Sequence, residues 1–209
     1  MEFQSHNSIA ILAFAPGADL PRLTRATLDE MEARLGEIRD SRLFQGVVLT
    51  SGAESFATGA EIEEILGLRG FEARRFAERG QRLMNLIEDF PIPAVAAIRG
   101  HCLGGGLDLA LACHARVATY DSSFAHPGGA LGLITGWGGT ARLPRLLAKA
   151  AALQILLTGE RIPAPQALTL GLVNELVPAR DLIRRAVLRA EQMATARVAG
   201  SIPIAEATV

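Results

Sequence analysis

The chain has 209 residues, with 21 Lys and Arg against 22 Asp and Glu and a formal charge of −1. That balance, with only 5% aromatics, argues against a nucleic-acid surface, and no apolar run reaches the roughly 20 residues a membrane helix needs. At this length, with 49% hydrophobic residues, the expectation is one domain over residues 1–199 and a tail, 200–209, without a pattern, the kind of terminus that stays disordered.

Residues 1–7 are polar and hold no apolar signal-peptide core. Cys102 and Cys113 are too few for a disulfide framework and read as reduced, buried thiols, which suits a cytoplasmic location. Lys149 is the only lysine, so the basic residues are nearly all arginine. Residues 9–14 form an apolar strand, and 15–21 a loop marked by Pro16, Gly17, Asp19 and Pro21. Thr24 is placed to cap a helix reaching about residue 40, with Leu28, Met31, Leu35 and Ile38 on one face. A strand over 46–51 centres on Val47, Val48 and Leu49. A short helix over 61–68 and a longer one over 71–89 follow, the second turning Phe76, Leu83, Leu86 and Ile87 inward.

Pro91 and Pro93 end that helix before a buried strand over 93–98. Three glycines, Gly104, Gly105 and Gly106, then open an apolar helix at Leu107. A strand over 115–119 leads to a glycine-rich loop over 124–140, a helix over 142–157, a short helix over 163–170 and a strand over 171–177. Pro178 opens the last helix, to about residue 196. Strands alternating with helices predict an α/β fold with largely parallel pairing.

The glycine triplet sits between a strand and a helix. Glycine permits close backbone approach, and the first amides of a helix have no partner within it. Such a turn aims free N–H groups and the positive end of a helix dipole at one point, which suits an oxyanion or a phosphate. Asp108, one turn in, is the only acid of that helix. Gly59-Ala60-Glu61 repeats the logic after the 46–51 strand. Two such turns at the carboxyl ends of neighbouring parallel strands bring two donors together, the makings of an oxyanion hole. The alternative is that both are simple tight connections and Asp108 merely favours the dipole; spacing alone leaves both open. Gly136-Trp137-Gly138-Gly139-Thr140-Ala141 fits a dinucleotide pattern by letter, but it lies late in the chain and lacks the acid expected about 20 residues on. A P-loop and a serine nucleophile elbow are absent from the sequence.

Three stretches carry a wider likeness. They are Ser55-Phe56-Ala57-Thr58-Gly59-Ala60-Glu61-Ile62, Gly100-His101-Cys102-Leu103-Gly104-Gly105-Gly106-Leu107-Asp108-Leu109-Ala110, and Gly132-Leu133-Ile134 with Gly136 and Gly138-Gly139-Thr140-Ala141-Arg142-Leu143. Gly171-Leu172-Val173 follows. Over residues 9–197 the chain thereby resembles the enoyl-CoA hydratase/isomerase superfamily, the crotonase family. The resemblance implies the ClpP-like spiral fold of repeated ββα units. It implies an oxyanion hole at the amides of Ala60 and Gly105, and a coenzyme A cradle along Thr58, Ala60 and Ile62. It also implies an acyl-CoA partner, coenzyme A as part of the substrate, no prosthetic group or metal, and a homo-oligomer, trimer or hexamer. Family chains continue into a C-terminal helical segment; this sequence ends at Val209, near where that segment would begin, so the segment is expected to be missing or shortened.

Family hydratases use two glutamates around one water, each within reach of the proton it moves. Asp108 stands at the first position. The second follows Phe-x-x-Pro, which reads here Phe124-Ala125-His126-Pro127-Gly128, without a carboxylate. Dienoyl isomerases of the family share an aspartate at the first position, but their proton-moving acids would fall at Gly128 and Gly136. Asp108 is the one family-type acid left. His126 either supplies a proton or is packed, and Trp137 either lines an acyl pocket or fills the core. His101 and Cys102 read as structural. The expectation is an acyl-CoA thioester-binding lyase or isomerase that stabilises an enolate with a reduced acid/base set, two-glutamate hydration being weak or absent. The alternatives are a CoA-thioester isomerase or decarboxylase, or a non-catalytic acyl-CoA binder.

Overall fold

The computed structural model describes residues 1–14, 17 and 20–199, and for residues 130 and 131 the backbone alone. The tail 200–209 and residues 15, 16, 18 and 19 of the first loop lie outside the described residues. The chain opens with β1 (Glu2–His6), β2 (Ile9–Phe14), α1 (Arg25–Ser41), β3 (Gly46–Ser51), α2 (Ile62–Ile65), α3 (Gly70–Glu88) and β4 (Ala94–Ile98). The glycine-rich centre holds β5 (His101–Leu103), α4 (Gly105–Ala112), β6 (Ala115–Thr119), β7 (Ser123–Ala125) and a 3-10 turn, Pro127–Leu131. The last part holds α5 (Gly139–Leu146), α6 (Lys149–Thr158), β8 (Ile162–Pro163), α7 (Ala164–Thr169), β9 (Glu175–Val177) and α8 (Leu182–Val198).

The main sheet runs β1-β2-β3-β4-β6-β9, antiparallel at β1–β2 and parallel elsewhere. One face packs Ile9, Val48, Val95 and Val117 against Ala186, Val187 and Ala190 of α8. The other packs Leu12, Leu49 and Ala96 against Leu28, Met31 and Leu35 of α1, Leu83 and Ile87 of α3, and Leu107 and Leu111 of α4. Burial on both faces is why these strands read as unbroken apolar runs. A second, small sheet runs β5-β7-β8, with β5 parallel to β7 and β8 antiparallel to it. Thr24 caps α1 through its side chain, which accepts from the Thr27 amide, and Leu28, Met31, Leu35 and Ile38 are buried as the spacing requires.

Several elements differ from the sequence reading. The polar N-terminus is a strand, β1, exposed along its whole length and fixed by its backbone ladder to β2 and by the edge of Phe3 on Phe44, 5.8 Å between ring centroids. The segment taken as glycine turn begins as β5, and the 124–140 loop begins as β7, because each finds the other as partner. The helix over 142–157 is two helices: α5 starts earlier, at Gly139, and the chain turns extended at Leu147, where φ is −120° and ψ 160°. Leu147 is buried there, so packing and not a proline or glycine sets the break. The helix expected over 61–68 keeps only Ile62–Ile65, and the strand over 171–177 keeps only Glu175–Val177. Among the described residues no helix is long and apolar enough to cross a membrane.

α4 is short and almost wholly buried. Its C-terminal carbonyls meet the buried guanidinium of Arg116 on β6, which donates to the carbonyls of Cys113 at 2.7 Å, Ala110 at 3.3 Å and Leu172 at 2.8 Å. A cation at this end of a helix complements its dipole. Cys102 and Cys113 are both buried without a disulfide, and burial pushes the Cys113 thiol up to about 12.

Candidate active site

The loop after β3 is stitched down on two sides. The Phe56 amide donates to the Arg99 carbonyl at 2.8 Å, the Ala57 amide to that of His101 at 3.0 Å, and the Leu103 amide back to the Ala57 carbonyl at 2.8 Å. On the other side the Thr58 amide and hydroxyl both donate to the Pro21 carbonyl, and the Leu23 amide donates to Gly59. This lays 55–60 along β5 as an added strand-like segment.

The two glycine turns then touch. Gly59 has a φ of +99°, and a Cβ on it would lie 3.3 Å from the Leu103 carbonyl oxygen and 3.4 Å from the Gly105 nitrogen. Gly104 has a φ of +53° and a ψ of −122°, a conformation open only to glycine. Its amide is spent on the Ala125 carbonyl and its own carbonyl accepts the Asp108 amide, which leaves Gly105 as the first unpaired amide of α4. Among the described residues neither the Ala60 nor the Gly105 amide meets a hydrogen-bond acceptor. Gly106 lets the helix seat itself: a Cβ there would be 2.5 Å from the Ala57 carbonyl oxygen.

Asp108 is 1% exposed. The Thr135 hydroxyl donates to its Oδ2, while Oδ1 is buried with no hydrogen-bond partner. Burial pushes its carboxyl up to about 6; the Thr135 hydrogen bond, the Arg142 charge and the backbone N–H groups of Trp137 and Gly139 oppose that rise. His126 Nε2 lies 3.7 Å from Oδ1, and burial pulls the imidazole down to about 4, so it is neutral at pH 7. Arg142 does not pair with Asp108. Its guanidinium bonds Glu88 at 2.6 Å, Asn85 at 2.7 Å and the Trp137 carbonyl at 3.2 Å, which ties the 135–139 segment to α3.

Trp137 is both lining and core. Its indole fills the space beside Gly80 of α3 and Gly105 of α4, where a Cβ on either glycine would strike the ring, and Phe76 packs on it at 5.5 Å between centroids. Thr58, Ala60, Ile62, Gly105 and Asp108 all line one cavity of about 270 Å³, with Phe76, His126, Gly128, Thr135 and Trp137. The structure thus brings together every site residue expected from the sequence. No carboxylate comes from 128 or 136, both of which are glycine. Among the described residues no group of three or more His, Cys, Asp or Glu is placed to hold a metal ion. His101 bonds Ser123 between β5 and β7, at 2.9 Å, and lies outside this lining.

Thr135 and the Gly139 amide are the parts that sequence reasoning missed. The signal for Gly139 was the run 136–141, which had matched a dinucleotide pattern by letter; Thr135 stands just before it. The glycines of that run serve a different purpose: a Cβ on Gly139 would strike Asp108 Oδ1, and one on Gly138 would strike the Arg142 guanidinium.

The model of the family described as Enoyl-CoA hydratase/isomerase matches residues 4–205. The chain belongs to the enoyl-CoA hydratase/isomerase family. Its α/β architecture is the crotonase fold. An enoyl-CoA hydratase from Bacillus anthracis superposes with a TM-score of 0.87 at 32% identity, over 93% of this chain and 76% of that one. Pseudomonas aeruginosa DspI superposes at 0.87 and 28% identity, over 93% of this chain and 80% of its own. Human enoyl Coenzyme A hydratase domain-containing protein 3 does so at 0.85 and 25%, over 93% and 77%. Membership supports an acyl-CoA-binding enzyme of the lyase or isomerase kind.

Proposed function

We propose that this chain binds acyl-CoA thioesters and stabilises their enolates at the amides of Ala60 and Gly105, with Asp108 as the sole carboxylate acid/base. The observation that carries this reading is the unpartnered Oδ1 of Asp108, buried in the same cavity as the two unpaired amides. The thioester oxygen would accept both N–H groups, and charge would grow on it as a proton leaves the α-carbon for Oδ1. Preorganised donors aimed at such an oxygen are worth about 2.7–4 kcal/mol each where measured. Thr135 holds Oδ2 and so turns the other oxygen to the cavity. A carboxyl raised to about 6 is a stronger base than an ordinary one and is still mostly ionised at neutral pH.

Coenzyme A would pass along Thr58, Ala60 and Ile62, without a prosthetic group or metal, and Phe76 and Trp137 would flank the acyl chain. The functional unit is one crotonase-like domain over 1–199. With glycine at 128 and 136, hydration by two carboxylates is weak or absent, and isomerisation or decarboxylation of a CoA thioester, which needs fewer proton carriers, is favoured. We place the protein in the cytoplasm as a homo-oligomer, trimer or hexamer. The exposed Leu66, Phe71 and Ile134 support a partnered surface.

The test is incubation with enoyl, dienoyl and malonyl thioesters of coenzyme A in heavy water, followed by mass spectrometry. Deuterium uptake or loss of carbon dioxide without added water is the expected result. Hydration of crotonyl-CoA at ordinary enzyme rates would contradict the reduced acid/base set. Binding without any turnover would leave the chain a non-catalytic acyl-CoA binder.

A further inference from the structure

We infer that His126 and Asp108 form one proton-sharing pair, in which His126 Nε2 is the second proton carrier of the site, in place of the carboxylate that position 128 lacks. This rests on the enolate reading above. Three observations carry it. Nε2 and Oδ1 lie 3.7 Å apart, a few tenths of an ångström beyond hydrogen-bond distance. Both His126 nitrogens and Asp108 Oδ1 are buried without partners, and all belong to residues lining the cavity. Buried polar groups are otherwise satisfied almost without exception, and besides the Trp137 and Gly139 N–H groups near the carboxyl, these atoms have each other and what enters the cavity as partners. Lastly, Gly139 keeps the gap between them open: a Cβ there would strike Oδ1 and sit 2.8 Å from Nε2.

The surroundings supply no rival carrier. Asp108 is the one carboxylate lining the cavity among the described residues. The nearby charge from α5, Arg142, is engaged by Glu88 of α3. On β5, Cys102 is fully buried with its thiol held well above its ordinary value. Burial keeps the imidazole neutral and free to accept at pH 7, while it raises the Asp108 carboxyl.

In a 1,3-shift of a β,γ-enoyl thioester the balance is simple. The α C–H bond breaks, the proton goes to Oδ1 and the electron pair becomes a dienolate on the two amides. The proton passes from Oδ1 to Nε2. Nε2–H then protonates the γ-carbon, a new C–H bond forms, and the α,β double bond remains with both side chains as they began. No oxidant, reductant or co-reactant is consumed.

The test uses 3-hexenoyl-CoA in heavy water, with NMR separating α-deuteration from the double-bond shift. His126→Gln is expected to keep α-deuteration within about threefold and to lower the shift by about 100-fold or more at unchanged KM, the range for loss of one general acid. Asp108→Asn is expected to lose both. Adding Gly128→Glu to His126→Gln is expected to restore the shift, since the nearest atom to a Cβ at 128 is the Leu133 carbonyl oxygen at 3.2 Å, a contact that a shift of a few tenths of an ångström relieves. An unchanged shift in His126→Gln, or a proportional loss of both readouts with raised KM, overturns the pair. No α-deuteration by the wild type overturns the enolate reading itself. A readout independent of turnover is the ¹⁵N signal of the His126 ring, one of four histidines. It must move in Asp108→Asn, and an unmoved signal also overturns the pair.

Discussion

Asp108 is kept poised at the expense of the fold. Its carboxyl stands near 3.8 in the unfolded chain and is raised to about 6 by burial in the native one. The native state therefore holds this proton more tightly. The stabilisation is fully present below the unfolded value and is lost as pH rises through about 6. Two pH units amount to about 3 kcal/mol. Asp108→Asn cannot titrate, so its stability relative to wild type is expected to rise by about 2–3 kcal/mol between pH 4 and pH 8, read by urea unfolding. A difference that does not change with pH would contradict the burial argument. Thr135 works in the opposite direction, holding the carboxyl down. Thr135→Val removes that donor. It is expected to move the acid limb of the pH–rate profile upward by about one to two units, because a hydrogen bond to a charged group is worth about 1.5–3 kcal/mol.

At the scale of elements, the site depends on α4 lying against the 55–60 segment. Gly106→Ala puts a methyl 2.5 Å from the Ala57 carbonyl oxygen, and both neighbours are backbone or buried, so one must move. The expected result is a loss of about 1–3 kcal/mol in stability. A misplacement of about 1 Å at the oxyanion hole also costs on the order of 100-fold in kcat/KM. Thermal melts and CoA-thioester kinetics check the two together. Elements with their own hydrophobic period were legible: α1 with its Thr24 cap, α3, and the buried strands β2, β3, β4 and β6. Those defined by a partner were not. β1 carries no buried face, and β5, β7 and β8 are two or three residues long, so only the ladder across them makes them strands. The break at Leu147 has no local marker because tertiary packing sets it.

At the scale of the molecule, the parallel sheet delivers the β3 and β4 ends to one side, and the small sheet holds β5 and β7 there, so two turns far apart in sequence share one cavity. That convergence is the crotonase fold's contribution. The amide turns and Asp108 were legible because glycine and a lone acid mark the chain locally. Thr135, the Gly139 amide and the approach of His126 were not, because they reach Asp108 through a loop whose path depends on Arg142 and Trp137. The measurement that tests the account most directly is exchange of the α-protons of butyryl-CoA, a saturated thioester, in heavy water by wild type and Asp108→Asn. The account predicts α-deuteration by the wild type and a fall of about 100-fold or more in the variant, with butyryl-CoA still bound. Equal rates in the two proteins, or bound thioester with no exchange in either, would contradict it.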